Sequence, residues 1–349
     1  MDNYNWSSND DETLYSLPNP DPLGILSSTH AVIEQGEQVW INVEQVEALA
    51  LRWLHSGALK AAMTPATYWD TRYHFHDDSE RSVNWVLVLD ALNFCFWAEK
   101  NQPRWQVDYQ GETLNGYLAE AAALKRAIEE GFPVWDATFL STVSEETVAT
   151  ILRGIPGSAP IPLFEQRVHN MREVGQVLLA QFDGQFSNAI EQAQFDAVQL
   201  VQLLIKYFPS FQDRAHYRQR EVRFFKRAQI CAVDLYNAFQ GQHWGRLQHL
   251  EQLTCFADYK LPQVLRHYSV IEYAPALAQH IDQQEPLAAG SEEEIEIRAA
   301  TVWACELLRR ALYYHGLSVT AADIDQLLWL TGQQADEMKP YHRTRTIYY

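Results

Sequence analysis

The chain has 349 residues, 47% of them hydrophobic and 12% aromatic, and a formal net charge of -18. That is ample apolar material for one large core or two intimate ones, and 11 Trp and 17 Tyr suit either a core or the walls of a pocket for a flat ligand. So acidic a surface repels phosphate polymers and argues against nonspecific nucleic-acid binding, while leaving room for a local basic pocket that holds one small phosphate.

The opening stretch, MDNYNWSSNDDETLYSLPNPDP, has no basic segment and no apolar run, so it reads as a flexible acidic tail over residues 1–22 and not as a signal peptide. Asn42 opens a helix through Met63, with Gln45 at the position of a capping-box partner. Arg81 to Lys100 is a dense apolar helix or helix–turn. WQVDYQGETLNGY (105–117) alternates around Gln110 and Gly111 as a small hairpin. The following segment is a helix closed by Gly131, and Ser144 caps a short helix ending before Gly154.

GIPGSAPIPLF (154–164) is the Pro/Gly-rich linker and a candidate sub-boundary inside an otherwise single domain over 23–349. Beyond it the pattern is helical, over roughly 164–182, 188–207, 219–240, 243–254, 261–268, 273–282, 291–315 and 320–331, with Ser291 and Glu294 as a capping box and Gly316 as a stop. The expected class is mainly α, with a small β hairpin or sheet in the N-terminal half. No stretch approaches the roughly 18 apolar residues of a membrane span. Cys95, Cys231, Cys255 and Cys305 lie in apolar context without a CxxC pair, which argues against a disulfide framework or structural zinc and for a cytoplasmic, reducing setting.

The candidate site residues are few. In LTCFADYKLPQVLRHY (253–268), Asp258 stands in a break between apolar runs. Pro262 suits a first helical position, which makes Leu261 the cap and leaves Asp258 three residues early: a solvated turn acid, or an acid held over a pocket. In RFFKRAQICAVD, Lys226 leans on an apolar stripe through Ile230, either snorkelling to water or held near a phosphate or sugar. Asp325, one turn before Trp329, is either a solvated helix acid or the acceptor for a guanine-like edge. HFHDD (74–78) is a weak metal pattern lacking a further imidazole. Phe94, Phe96 and Trp97 crowd together as core or as a stacking platform. The tail PYHRTRTIYY concentrates His342, Arg343 and Arg345 among tyrosines, suited to docking on the fold or to a phosphate. No P-loop, GxGxxG, GxSxG or HExxH is present.

Six strings in order, VNWVLVLDALNFCFW, FPSFQD, FFKRAQICAVD, FADYKLPQVL, EIEIRAATVWACELLR and PYHRTRTIYY, resemble the queuosine salvage family of queuosine 5′-phosphate N-glycosylases. The resemblance spans residues 30 to 349. It implies a helical bundle similar to helix-hairpin-helix DNA glycosylases, hydrolysis of queuosine 5′-monophosphate to release queuine, and no cofactor or metal. It implies Asp258 as the catalytic acid opposite the sugar carbon, Lys226 at the sugar-phosphate end and Asp325 at the base edge. It also implies Phe94, Phe256 and Tyr259 around the base, His74 or His76 nearby, and Arg343 and Arg345 in the tail. The partner is then a small nucleotide, with no duplex nucleic acid and no membrane. Two rival readings share the aromatic pocket: a DNA-glycosylase-like enzyme, disfavoured by the charge, and a non-catalytic nucleobase-binding protein, which needs neither Asp258 nor Lys226.

Overall fold

A computed structural model describes residues 14–63, 69–333 and 337–349. The described chain is mainly helical, with small two-stranded sheets. No helix among the described residues is long and apolar enough to cross a membrane. Contacts group the chain into two discontinuous units. The first comprises 1–64, 214–226 and 249–345; the second comprises 65–213, 227–248 and 346–349. The Pro/Gly-rich stretch 154–164 lies within the second unit, between helices Glu145–Ile151 and Phe164–Gln181.

The first unit is built on a long helix, Glu292–Tyr314. Its N-terminus follows the expected capping chemistry: Glu294 N donates to Ser291 Oγ at 3.3 Å, and the Glu294 carboxylate reaches back to Gly290 N at 3.0 Å. The helix is buried almost all round, so its charged residues must find internal partners. Glu296 does so by accepting from the backbone N–H groups of Glu37, Gln38 and Val39 at 3.1, 2.7 and 3.2 Å, and from the Tyr217 hydroxyl at 2.9 Å. That carboxylate pins strand Val39–Ile41, which pairs antiparallel with Ile271–Tyr273. Of the expected N-terminal tail, residues 1–13 lie outside the described residues. Leu14 is buried, and Arg310 donates to the carbonyls of Leu14 and Ser16 at 2.6 and 2.7 Å.

The second unit centres on helix Glu80–Leu92, which is buried from Ser82 onward. The apolar run expected through Lys100 leaves the helix at Leu92, because Cys95 turns to φ 44° and the carbonyls of Leu92 and Phe94 are taken by the buried guanidinium of Arg167. The hairpin Gln106–Tyr109 with Glu112–Asn115 forms as expected.

Four expected helices are corrected. The helix from Asn42 through Met63 is two helices, Val43–Ser56 and Ala58–Ala62, parted by Gly57 at φ 68°. The helix from 219 begins instead at Lys226, and Arg214–Tyr217 and Arg220–Arg223 form a hairpin whose turn residues Arg218 and Gln219 have φ 45° and 70°. The helix over 188–207 is two helices, Phe186–Gln192 and Ala197–Tyr207, parted by Gln194 and Phe195 at φ 54° and 59°. The segment 243–254 contains two short 3-10 turns, His243–Gly245 and Leu250–Gln252.

Candidate active site

The acid at the break is held by a set of anchors within the first unit. Residues Leu253 to Ala257 run into it fully buried. Phe256 N donates to Asp325 Oδ2 at 2.7 Å, and Arg298 Nε donates to the Ala257 carbonyl at 3.1 Å. Asp258 then spends one oxygen on the helix that follows: Oδ1 accepts from Lys260 N at 2.7 Å and Leu261 N at 3.0 Å. The helix runs Lys260–His267, so it starts earlier than Pro262 suggested. Pro262 sits at its third position, where a missing N–H costs nothing because the first turn's N–H groups have no helical acceptor. Asp258 is therefore the side-chain cap of this helix, and Leu261 is not. Its second oxygen, Oδ2, makes no hydrogen bond among the described residues.

Asp258 is partly buried. Burial pushes its carboxyl above the usual 3.8, while the charge of Lys226, the N–H groups of Leu261 and Lys260, and the Lys260 charge pull it down. Lys226, 4% exposed, is the first residue of helix Lys226–Ala238 and follows Phe225, which has φ 49°. Its ammonium is thus kept inside the fold and not snorkelled to water. Asp325 is 8% exposed, which removes the solvated-acid reading, and helix Ala321–Gln333 carries it to the backbone of Phe256.

Tyr259 packs on Tyr341, ring centroids 4.8 Å apart, and the Lys260 ammonium lies over the Tyr341 ring at 5.2 Å while donating to the Gly332 carbonyl at 3.1 Å. The tail as far as Arg345 belongs to this unit. Arg343–Thr344 pairs in parallel with Pro286–Leu287, Arg343 donates to Gln284 at 2.7 Å, and His342 is buried, its pKa pushed down to about 3 by burial and then by the charge of Arg298. Arg345 is exposed.

Lys226, Phe256, Asp258, Tyr259, Asp325, Arg343 and Arg345 thus belong to the first unit, whereas Phe94 and His74 belong to the second. There the Phe94 ring has the guanidinium of Arg167 at 4.3 Å and that of Arg227 at 5.3 Å. His74 is buried, with Nδ1 2.8 Å from the Asp70 carbonyl and Nε2 2.9 Å from the Tyr117 hydroxyl, so both ring nitrogens are spent inside the fold. Burial pushes its pKa down to about 4, leaving the ring neutral at pH 7. His76 Nε2 pairs with Asp78 at 2.8 Å. No group of three potential metal ligands is found among the described residues.

Arg298 was not singled out among the site residues, although the string EIEIRAATVW carried a signal for it. Three charged residues spaced by two in a helix buried on every side must each be paired, because lone buried charges are too costly. Chemically, the arrangement offers a fixed carboxylate oxygen beside an ammonium, with a second buried carboxylate one anchor away.

The model of the family described as queuosine salvage protein matches residues 73–349. A queuosine 5′-phosphate N-glycosylase/hydrolase of Sphaerobacter thermophilus is 47% identical over 330 residues, covering 94% of this chain and 98% of that protein. Proteins of the same name from Mus musculus and Dictyostelium discoideum are 33% and 35% identical over 94% of this chain and 99% of theirs. With that coverage and the Asp258 region lying inside the matched span, the chain belongs to the queuosine salvage protein family.

Proposed function

We propose that this protein hydrolyses the N-glycosidic bond of queuosine 5′-phosphate, releasing queuine for salvage, with Asp258 as its catalytic carboxylate. The activity for which relatives matching nearly end to end are named supports the reaction. The observation that carries the residue assignment is the division of labour within Asp258: Oδ1 is fixed by two backbone N–H groups, and Oδ2 is left for chemistry.

Breaking the C1′–N bond develops positive charge on the sugar. A carboxylate already oriented and partly desolvated stabilises that charge without reorganising, or attacks the carbon and is released by water. The leaving base is a 7-deazaguanine and lacks the N7 that is protonated in purine release, so more of the barrier falls to stabilisation on the sugar side and to positioning. Lys226 keeps Asp258 ionised and holds the sugar-phosphate end of the substrate. Asp325 accepts from the N1–H and amino group of the base edge with the oxygen chemistry that suits two donors. Phe256 and Tyr259 supply apolar surface for the base and its cyclopentenediol arm, and Arg343 and Arg345 lend positive charge from the tail. His74, with both nitrogens engaged, serves the fold of its own unit. A capped helix after a short turn carrying the catalytic acid is also how helix-hairpin-helix glycosylases present theirs, and we extend that architectural comparison to this chain. The reading calls for neither cofactor nor metal.

The deciding experiment is incubation with queuosine 5′-monophosphate and detection of free queuine. Release supports hydrolysis; tight binding with no release would leave a nucleobase-binding protein, and strong low-salt affinity for duplex DNA would favour a DNA-directed glycosylase.

A further inference from the structure

We propose that Arg298 is the positioning residue for Asp258, acting through the peptide bond that joins Ala257 to it. The inference rests on the reading of Asp258 as the catalytic carboxylate. The Ala257 carbonyl and the Asp258 N–H share one peptide plane, so the bond from Arg298 Nε at 3.1 Å restrains that plane and with it the position of the Asp258 Cα from which the side chain springs. Two peptide planes earlier Phe256 N is held by Asp325, and the following helix is held at Lys260 N and Leu261 N by Asp258 itself. Arg298 fills the gap between these anchors, and Oδ2 is aimed by what remains.

The guanidinium is itself held immobile. It is 2% exposed, lies 3.9 Å from the centroid of the Phe224 ring, and faces Glu294 one turn back at 3.7 Å. A buried ion pair of this kind is commonly no more stabilising than an apolar pair of the same volume, so stability alone is a poor reason for its presence.

The test compares Arg298→Gln with Arg298→Met, side chains of similar length of which only Gln can donate to the Ala257 carbonyl. Both are made in a Glu294→Gln background, so that no acid is left buried without a cation. Initial rates on queuosine 5′-monophosphate are read as kcat and KM separately, with melting curves for each protein. The Gln variant is expected within about tenfold of its parent in kcat. The Met variant is expected to fall about a hundredfold in kcat with KM changed less than about threefold, the loss expected when roughly an ångström of misplacement enters at the reacting group. Equal kcat values for two folded variants would overturn the proposal. If the Met variant does not melt cooperatively, Phe224→Leu replaces it: this keeps Arg298 and removes the ring beneath it, and kcat is expected to drop several-fold at constant KM, whereas an unchanged kcat would overturn the proposal. The parent protein and Asp258→Asn are run alongside. A parent that releases no queuine dismisses the hydrolase reading, and an active Asp258→Asn dismisses the catalytic role of Asp258 on which this inference rests; an active parent with an inactive Asp258→Asn and a fully active Met variant dismisses only the role of Arg298.

Discussion

Asp325 is predicted to do two jobs, and two substitutions separate them. In Asp325→Ala the Phe256 N–H loses its 2.7 Å acceptor inside a buried stretch. Leaving such a donor unpaired costs about 1–3 kcal/mol. For a chain of this length the unfolding entropy is about 2.1 cal/mol/K per residue, so the melting temperature should fall by about 1–4 °C. Asp325→Asn keeps an oxygen for Phe256 and nearly the same shape, so its melting temperature should stay close to the parent's. It replaces a charged acceptor with a neutral amide, whose N–H group then confronts the donors of the base. Losing a hydrogen bond to a charged group is worth about 1.5–3 kcal/mol, so queuine should bind roughly 10- to 150-fold more weakly. Differential scanning calorimetry and isothermal titration with free queuine read the two effects independently. An Asp325→Asn protein that binds queuine as tightly as the parent refutes the base-edge role, and an Asp325→Ala protein of unchanged melting temperature refutes the anchor.

Three further outcomes follow from the same geometry. Lys226→Met should lower kcat/KM on the 5′-monophosphate about tenfold to a hundredfold more than on the nucleoside, since one charge-assisted phosphate contact is worth about 1.5–3 kcal/mol; equal losses on both substrates would count against a phosphate role. Because burial raises the Asp258 carboxyl above 3.8, its ionisation opposes folding: the cost is absent below that value, grows as pH rises through the raised folded pKa, and is complete above it. Asp258→Asn should therefore melt higher than the parent at pH 7, a difference that vanishes below pH 3.8, and the acid limb of the parent's activity should lie above 3.8; a melting difference that persists at the lowest pH would contradict the linkage. His74→Ala should lower the melting temperature, through the lost bonds to Asp70 and Tyr117, and leave kcat/KM of the folded fraction within about twofold; a selective loss of turnover would return the ring to the substrate.

Much of the helical skeleton was legible because the chain writes its helix starts in side chains. Asn42, Ser144 and Ser291 each accept the backbone N–H three residues on, where the cap pattern placed them. Two of the misses share one physical source. Arg218, Gln219, Gln194 and Phe195 adopt positive φ without being Gly, Asn or Asp, so the turns they make carry no local signal, and the flanking apolar residues read on as helix. Asp258 shows the same limit from the other side. Its identity as a helix cap depends on a helix that begins before Pro262, and the proline misplaced that start. The burial of Lys226 and Asp325 is a tertiary outcome that no local pattern encodes, and the internal partners of Glu296 and Arg298 likewise emerge only from the packing around their helix.

The measurement that bears most directly on the central claim is single-turnover cleavage of queuosine 5′-monophosphate by Asp258→Asn. The substitution keeps an oxygen for Lys260 N and Leu261 N and removes the negative charge. Turnover should fall by at least about a hundredfold, since one preorganised stabilising group contributes roughly 2.7–4 kcal/mol of barrier lowering, and nucleotide binding should persist or tighten because the lost interaction belongs to the transition state. Near-normal turnover in a folded Asp258→Asn protein would contradict the account and leave Asp258 as a helix cap alone.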